Sequence, residues 1–334
     1  MILEVNNKTF RFFKSFTIEK KFATLASTFQ CSAKNELFDY FLEFPNCRVL
    51  DNAGNLIMTC KIVAPTITFD AKPNQIDYAG FTLPGVLEDC SIAKSSYPLQ
   101  FDNLSLEQIT KKIIQPFALT LSLQNGAAKD AKKKFEKSTV DPNTKIKQYL
   151  SELAAQRNIY ITHNEFGDLV FTRINANTMI PRKSFEEGKP GLLNASISIQ
   201  SQYLHSDITV LRQATNRNPD SSEYTMKNPY VTEFRPVTHI ASAGDIFDVK
   251  TAARNALSDE LSKIKIILSV TDYVEPGELI QLKSSTIHLN RFAQLFVDEV
   301  KYTEEDGKTD YYTLTCILPD VYSNDPVTKN IFKL

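Results

Sequence analysis

At 334 residues the chain is long enough for two or three domains, and a chain of that size buries about three quarters of its unfolded surface. Hydrophobic residues make up 42% and charged residues 23%, and the formal net charge is −1. That is an ordinary globular composition, with no global field to draw the protein to nucleic acid or to an anionic membrane.

Five cysteines, Cys31, Cys47, Cys60, Cys90 and Cys316, are an odd count without a C-x-x-C pair. Their spacing fits neither a zinc site nor a small disulfide scaffold, and free buried thiols in a reducing cytoplasm are expected. Met1 to Asn6 has no basic start followed by an apolar core, so it does not read as a signal peptide. No run approaches the roughly eighteen apolar residues of a membrane span. The expectation is a protein made in the cytosol that stays soluble until something assembles it.

In chain order, Met1 to about Tyr78 reads as short strands. Ile2–Val5 and Thr9–Phe12 flank the turn Asn6-Asn7-Lys8. Phe16–Glu19 and Ala23–Phe29 alternate in part. Cys47–Leu50 and Leu56–Cys60 surround Asp51–Asn55, a second hairpin. Ile62–Phe69 and Gln75–Tyr78 follow. Strands at this spacing predict a small barrel or sandwich. Asn35–Phe44 reads equally as a brief helix or a bent strand.

The period then changes. After an irregular, proline-containing segment ending in Leu87-Glu88-Asp89-Cys90-Ser91, Ser105 and Gln108 form an S-x-x-Q capping box. Leu106, Ile109 and Ile113 share the helical face behind it, and Pro116 stops the helix near Gln115. A short apolar strand reaches Leu123. Beyond the polar stretch Gln124–Thr139, Asp141-Pro142 predicts an N-cap with proline in the first turn. Ile146, Tyr149, Leu150, Leu153 and Ala154 make one apolar stripe. Ile159–Thr162 and Leu169–Thr172 pair across Asn164–Asp168. Two helix-then-strand units predict an α+β domain with two helices on a small sheet.

Gly188–Leu193 reads as a connector. Ala195–Gln200 and Asp207–Arg212 alternate again, and Asn216–Pro229 reads as a polar loop. Asp248 is a candidate cap for a helix over Val249–Lys263, and Ile264–Val270 continues as a strand. Glu278–Leu282, Leu295–Tyr302 and Tyr311–Leu318 are further strands, the last pair turning at Glu305–Lys308. The simplest account is a second β domain interrupted by an inserted loop and helix, about 213–263. The predicted fold class is thus α+β and β-rich. The domains are 1–85 (β), 86–187 (α+β) and 188–334 (β with the insertion).

Signs of chemistry are few. His163, His205, His239 and His288 are far apart, and none stands in H-E-x-x-H or another ligand spacing. No nucleophile elbow or phosphate-binding glycine pattern occurs among the 10 glycines. Cys90 has no histidine near it in sequence and reads as a packed thiol. Lys132-Lys133-Lys134 reads as a solvated face, since a contact to DNA backbone needs more cationic surface around it. No catalytic, cofactor-binding or metal residue is expected.

The order of motifs from Leu87 to Leu123 resembles the baseplate hub proteins of contractile-tailed, Mu-like bacteriophages and of related tail-like injection machines. Leu87, Asp89, Cys90, Ser91, Leu106, Glu107, Ile109, Pro116 and Phe117 carry the match, with Glu88 standing where that family has valine. Further on, the helix Asn255–Lys263 feeding a strand, the run Glu275-Pro276-Gly277-Glu278-Leu279-Ile280 and the closing Leu318-Pro319-Asp320 sit where the family has them. The resemblance implies that both β domains are small antiparallel, tail-tube-like barrels. It implies a virion protein, a homotrimer whose six barrels form a ring joining the six-fold tail tube to the three-fold spike. Its partners would be its own copies, the spike, the tail tube, baseplate wedge proteins and the tape measure protein, with genomic DNA passing through without sequence-specific binding. Some such hubs are fused to cell-wall hydrolases. The adjacent carboxylates Glu186-Glu187, Glu304-Glu305-Asp306 and Asp259-Glu260 are therefore candidate acid/base dyads. Sequence neighbours in strands and turns point apart or into water, which favours surface charge. The alternative function is a peptidoglycan-active or cell-surface-binding component of the same machine.

Overall fold

Strands with alternating polarity bury one face, and Ser15–Lys21 in the first β region shows this plainly. The computed structural model describes every residue except 7, 35–43, 69–74, 125, 175–177, 213–221, 241–248, 306–310, 323–329 and 334. The chain divides into two units, Met1–Arg173 with Val300–Tyr311 and Ile174–Glu299 with Tyr312–Leu334.

In the first unit, β1 (Ile2–Val5), β2 (Lys8–Phe10), β3 (Ser15–Lys21), β4 (Thr28–Lys34), β5 (Asn46–Leu50), β6 (Leu56–Thr68) and β7 (Gln75–Thr82) make an antiparallel sheet. Its order is β3-β4-β7-β6-β5-β1-β2. Phe16 and Ile18 of β3 point inward while Thr17 and Glu19 face the other way. The strands expected at Leu56–Cys60 and Ile62–Phe69 are one strand, β6, bent by a register shift between Ile62 and Ala64. An extra residue accommodates the bend without ending the ladder.

Two expectations here need correction. Strand β2 ends at Phe10, and Phe12 lies outside it with φ of 71°, almost wholly exposed. The strand expected over Ala23–Phe29 starts only at Thr28. Leu25 leaves the sheet because it is drawn into the apolar core of the following domain. The Asn35–Phe44 alternatives fall almost wholly outside the described residues.

The α+β part of the unit that follows holds α1 (Val86–Asp89), α2 (Leu106–Ile114), β8 (Leu121–Leu123), α3 (Ala127–Ala131), α4 (Ile146–Ala155), β9 (Tyr160–His163) and β10 (Leu169–Thr172). Its sheet runs β8-β10-β9, with β8 parallel and β9 antiparallel to β10. The expected apolar faces meet in one core: Leu106, Ile109 and Ile113 from α2, and Ile146, Tyr149, Leu150, Leu153 and Ala154 from α4. Both halves of the Ser105/Gln108 box form, with Gln108 N–H donating to Ser105 Oγ at 3.3 Å and Ser105 N–H to Gln108 Oε1 at 3.0 Å. Helix α3 arises inside the stretch read as merely polar, because Ala127 and Ala131 are fully buried one turn apart. The Asp141 cap is not used. Residues 141–144 form a turn closed by Thr144 N–H to Asp141 C=O (3.0 Å), and α4 begins at Ile146.

The second unit contains β11 (Lys183–Glu186), β12 (Leu192–Ile199), β13 (Asp207–Arg212), β14 (Ser222–Lys227), β15 (Pro236–Ile240), α5 (Val249–Leu261), β16 (Ile264–Val270), β17 (Leu279–Ser284), β18 (Leu289–Glu305) and β19 (Tyr311–Ile317). Strands run β12-β16-β19-β18, and β17 joins β18 to β11. The part of β18 from Val300 onward belongs to the first unit, where it lies beside β3. The loop expected over Asn216–Pro229 contains β14, which pairs antiparallel with β13, while the unexpected β15 pairs parallel on its other side. Leu257 and Leu261 of α5 cover this small sheet through Ile208, Leu204 and Leu318. Asp248 and the Asp306–Lys308 part of the last turn lie outside the described residues. The fold is α+β and β-rich, with antiparallel β regions at both ends of the sequence.

Candidate functional site

The positions that carry the family resemblance gather where the first β region meets the α+β domain. Pro84 pre-sets the start of a short helical segment that runs into α1, and Leu87 drops into the shared core with no exposed surface. Cys90 follows in extended conformation, its N–H bonded to Val86 C=O at 3.2 Å. Its own carbonyl accepts Ile146 N–H at 3.0 Å, and Ser91 forms an isolated bridge with Lys145. The start of α4 therefore has one of its orphan amides satisfied by the backbone of this run.

Side chains reinforce the junction. Glu88 pairs with Lys147 of α4 at 2.7 Å and accepts Thr24 Oγ1 at 3.4 Å, so one carboxylate touches both parts of the unit. The ammonium of Lys145 donates to Asp89 C=O. On the other side of the junction, His163 Nε2 lies 2.7 Å from Ser27 Oγ. Ser27 N–H in turn donates to Thr82 Oγ1 (3.1 Å), whose hydroxyl donates to Leu25 C=O (2.8 Å). Thr59 Oγ1 donates to Glu165 C=O at 2.9 Å. Gly167 closes the β9–β10 turn with φ of 86°, and a Cβ there would stand 2.8 Å from Leu83 Cδ1. The positive φ favours glycine, and a side chain there would also press on Leu83.

Leu106, Glu107 and Ile109 sit on α2. The two apolar residues are wholly buried, and Glu107 pairs with Lys111 one turn on at 2.7 Å. Pro276 and Gly277 are elsewhere, in the turn leading into β17. Glu278 N–H donates to Glu275 C=O (3.2 Å), and Gly277 adopts φ of 95°. Proline second and glycine third is the chemistry of a type II turn, which needs a positive φ at its third residue. Gly277 N–H and Glu278 C=O then bond Val297 of β18 at 2.8 and 3.0 Å. The structure thus brings Leu87 to Ile109 together and leaves Pro276 and Gly277 in the second unit. Sequence reading missed Leu25, Glu88 and Gly167 as junction residues. Only Gly167, in an Asn-Glu-Phe-Gly-Asp turn, carried a visible signal.

Several of the residues weighed for chemistry are engaged in structure. His205 Nδ1 and backbone N–H bind the two oxygens of buried Glu260 at 2.7 and 2.8 Å, and Asn228 Nδ2 reaches the same carboxylate at 3.4 Å. Glu186 pairs with Lys283 at 2.9 Å, while Glu187 is bound by Ser284 and Thr286. Lys133 pairs with Asp130, which also holds Arg173. Cys31, Cys47, Cys60 and Cys316 are buried free thiols, and Cys90 is half-buried and free. Among the described residues no group of three potential ligands is arranged to hold a metal ion, and no helix is long and apolar enough to cross a membrane.

Comparison with known proteins places the fold among phage tail proteins. The chain is similar to the 43 kDa tail protein of prophage MuSo2 from Shewanella oneidensis (TM-score 0.81, 16% identity, 96% of this chain and 98% of that one). It is comparably similar to the tail protein from Neisseria meningitidis MC58 (TM-score 0.79, 17% identity, 96% and 97%). A more distant likeness is to an Escherichia coli component of the type VI secretion system (TM-score 0.59, 10% identity, 97% and 79%). Residues 84–173 match the family described as "Baseplate hub protein gp44-like, second domain". That span is the α+β domain with its junction. The sequence match to a hub second domain covers the middle of the chain, and the likeness in fold to tail proteins runs along nearly all of it. No curated protein sequence matches the chain.

Proposed function

We propose that the protein is the central hub of a contractile-tail baseplate, a homotrimer that joins a six-fold tail tube to a three-fold spike. It acts by assembly rather than by catalysis, and DNA passes along its axis during ejection. One observation carries this reading: a hub second domain at 84–173, set within a fold shared from end to end with Mu-like prophage tail proteins. In this reading the chain divides at about 85 and 187, the outer β regions are tube-like, and three copies supply six similar edges to meet the tube. Its place is the virion baseplate, in contact with spike, tube and wedge proteins. The net charge of −1 suits a channel wall that does not grip the passing phosphates.

The test is native mass measurement on the full chain at high concentration, with purified tube and spike subunits added. Three times 37.8 kDa and binding to either subunit are expected. A chain that stays monomeric and binds neither overturns the reading. A turbidity assay on bacterial cell walls separates the rival: clearing that one carboxylate substitution abolishes would replace the hub with a peptidoglycan-active enzyme.

A further inference from the structure

Cys47 in β5 and Cys60 in β6 are direct register partners in an antiparallel ladder. Both are almost wholly buried, at 2% and 0% exposure, and both are free. Directly opposed residues in such a ladder have Cα atoms about 4.5 or 5.5 Å apart, according to whether the pair is hydrogen-bonded, and both spacings fall in the window a disulfide spans. As direct partners in adjacent strands, the two side chains project from the same buried face of the sheet. A third buried thiol, Cys31, lies on β4, separated from β5 in the sheet by β7 and β6, and its own register partners are Phe16 and Tyr78.

We infer that Cys47 and Cys60 are a latent disulfide pair, which a small-molecule disulfide oxidises in place to a cross-strand bond between β5 and β6. One cysteine, as thiolate, attacks a sulfur of the oxidant to give a mixed disulfide and release one thiol. The second cysteine attacks that mixed disulfide and expels the second thiol. Two protons and two electrons leave the protein, one S–S bond forms within it, and one S–S bond of the oxidant is reduced to two thiols. Burial accounts for the pair being reduced until it is challenged: desolvation raises the Cys60 thiol well above its ordinary range, so little thiolate exists to start the exchange. Reaction waits on local opening of the β5–β6 hairpin, whose Asp51–Asn55 tip is the exposed end of the unit's sheet at that point. The inference does not depend on the hub reading.

The experiment is incubation of the folded full chain with oxidised glutathione, followed by denaturation, alkylation of the remaining thiols and digestion with trypsin. Expected are a mass lower by about 2 Da before alkylation, three alkylated cysteines of the five after it, and a cross-link joining the peptides 35–48 and 49–61. Cys47→Ala and Cys60→Ala each abolish the cross-link, and Cys31→Ala leaves it. Closing a loop of this length raises the thermal midpoint by about 5–10 °C, reversed by dithiothreitol. Five alkylatable thiols, glutathione adducts without an internal bond, a bond that uses Cys31, or a midpoint that falls on oxidation would each overturn it.

Discussion

Glu187 shows how a single side chain on the surface can be committed to structure. Its carboxylate accepts Thr286 Oγ1 (2.5 Å), Thr286 N–H (3.1 Å), Ser284 Oγ (2.8 Å) and Ser285 Oγ (3.4 Å), tying the end of β11 to the turn between β17 and β18. The Thr286 hydroxyl foremost, then its amide and the Ser284 hydroxyl, hold the carboxyl down at about 2. The folded pKa lies below the unfolded one, so the contribution to stability is complete above about 4.3 and is lost as pH falls from there toward 2. Glu187→Gln keeps the shape and one acceptor but removes the charge. The thermal midpoints of wild type and variant should differ by a constant amount from pH 7 to about 5 and converge below it. A gap unchanged down to pH 3 would show that the charge is irrelevant there. The same kind of commitment explains His205, whose carboxylate neighbour Glu260 looked in sequence like half of a possible dyad and is a buried anchor.

Among the elements, helix α2 was the most legible because its instructions are local. Ser105 and Gln108 specify its start, three apolar residues its buried face, and Pro116 its end. Ser105→Ala removes the acceptor for the Gln108 amide in a buried cap, and should lower stability by about 1 kcal/mol in denaturant titration, with Ser105→Gly costing less. A loss below about 0.3 kcal/mol would mean the box is ornamental. Helix α4 shows the opposite case. Its apolar stripe was plain in sequence, but its start was misplaced at Asp141, because the amide of Ile146 is satisfied by Cys90, a partner 56 residues away. Strands β11 and β15 escaped notice for a related reason: each is a short segment held by parallel pairing, to β17 and β13, that nothing local announces. Leu25 failed similarly, its alternation with Thr24 and Ala26 describing a strand while its burial lies in the core of another domain. Of the junction, the backbone run Leu87–Ser91 was legible and the contacts that make it a junction were not, since they come from Thr24, Ser27 and Lys147.

At the scale of the whole molecule, the division in space does not follow the order of the chain. The first unit is completed by Val300–Tyr311, residues that lie after nearly all of the second. Within it, β3 has β4 on one side and the end of β18 on the other. A fragment stopping at Arg173 would contain the β1–β7 sheet and the α+β domain yet leave β3 as an open edge, flanked by the buried row Phe16 and Ile18. Unpaired edges of this kind template association between chains. Expressed alone, 1–173 should therefore aggregate or melt well below the intact protein. Expressed together with 174–334, it should become soluble and co-purify with it, because the missing strand is then supplied in trans. A fragment 1–173 that is monomeric and as stable as the full chain would show that the end of β18 from Val300 is dispensable to the first unit.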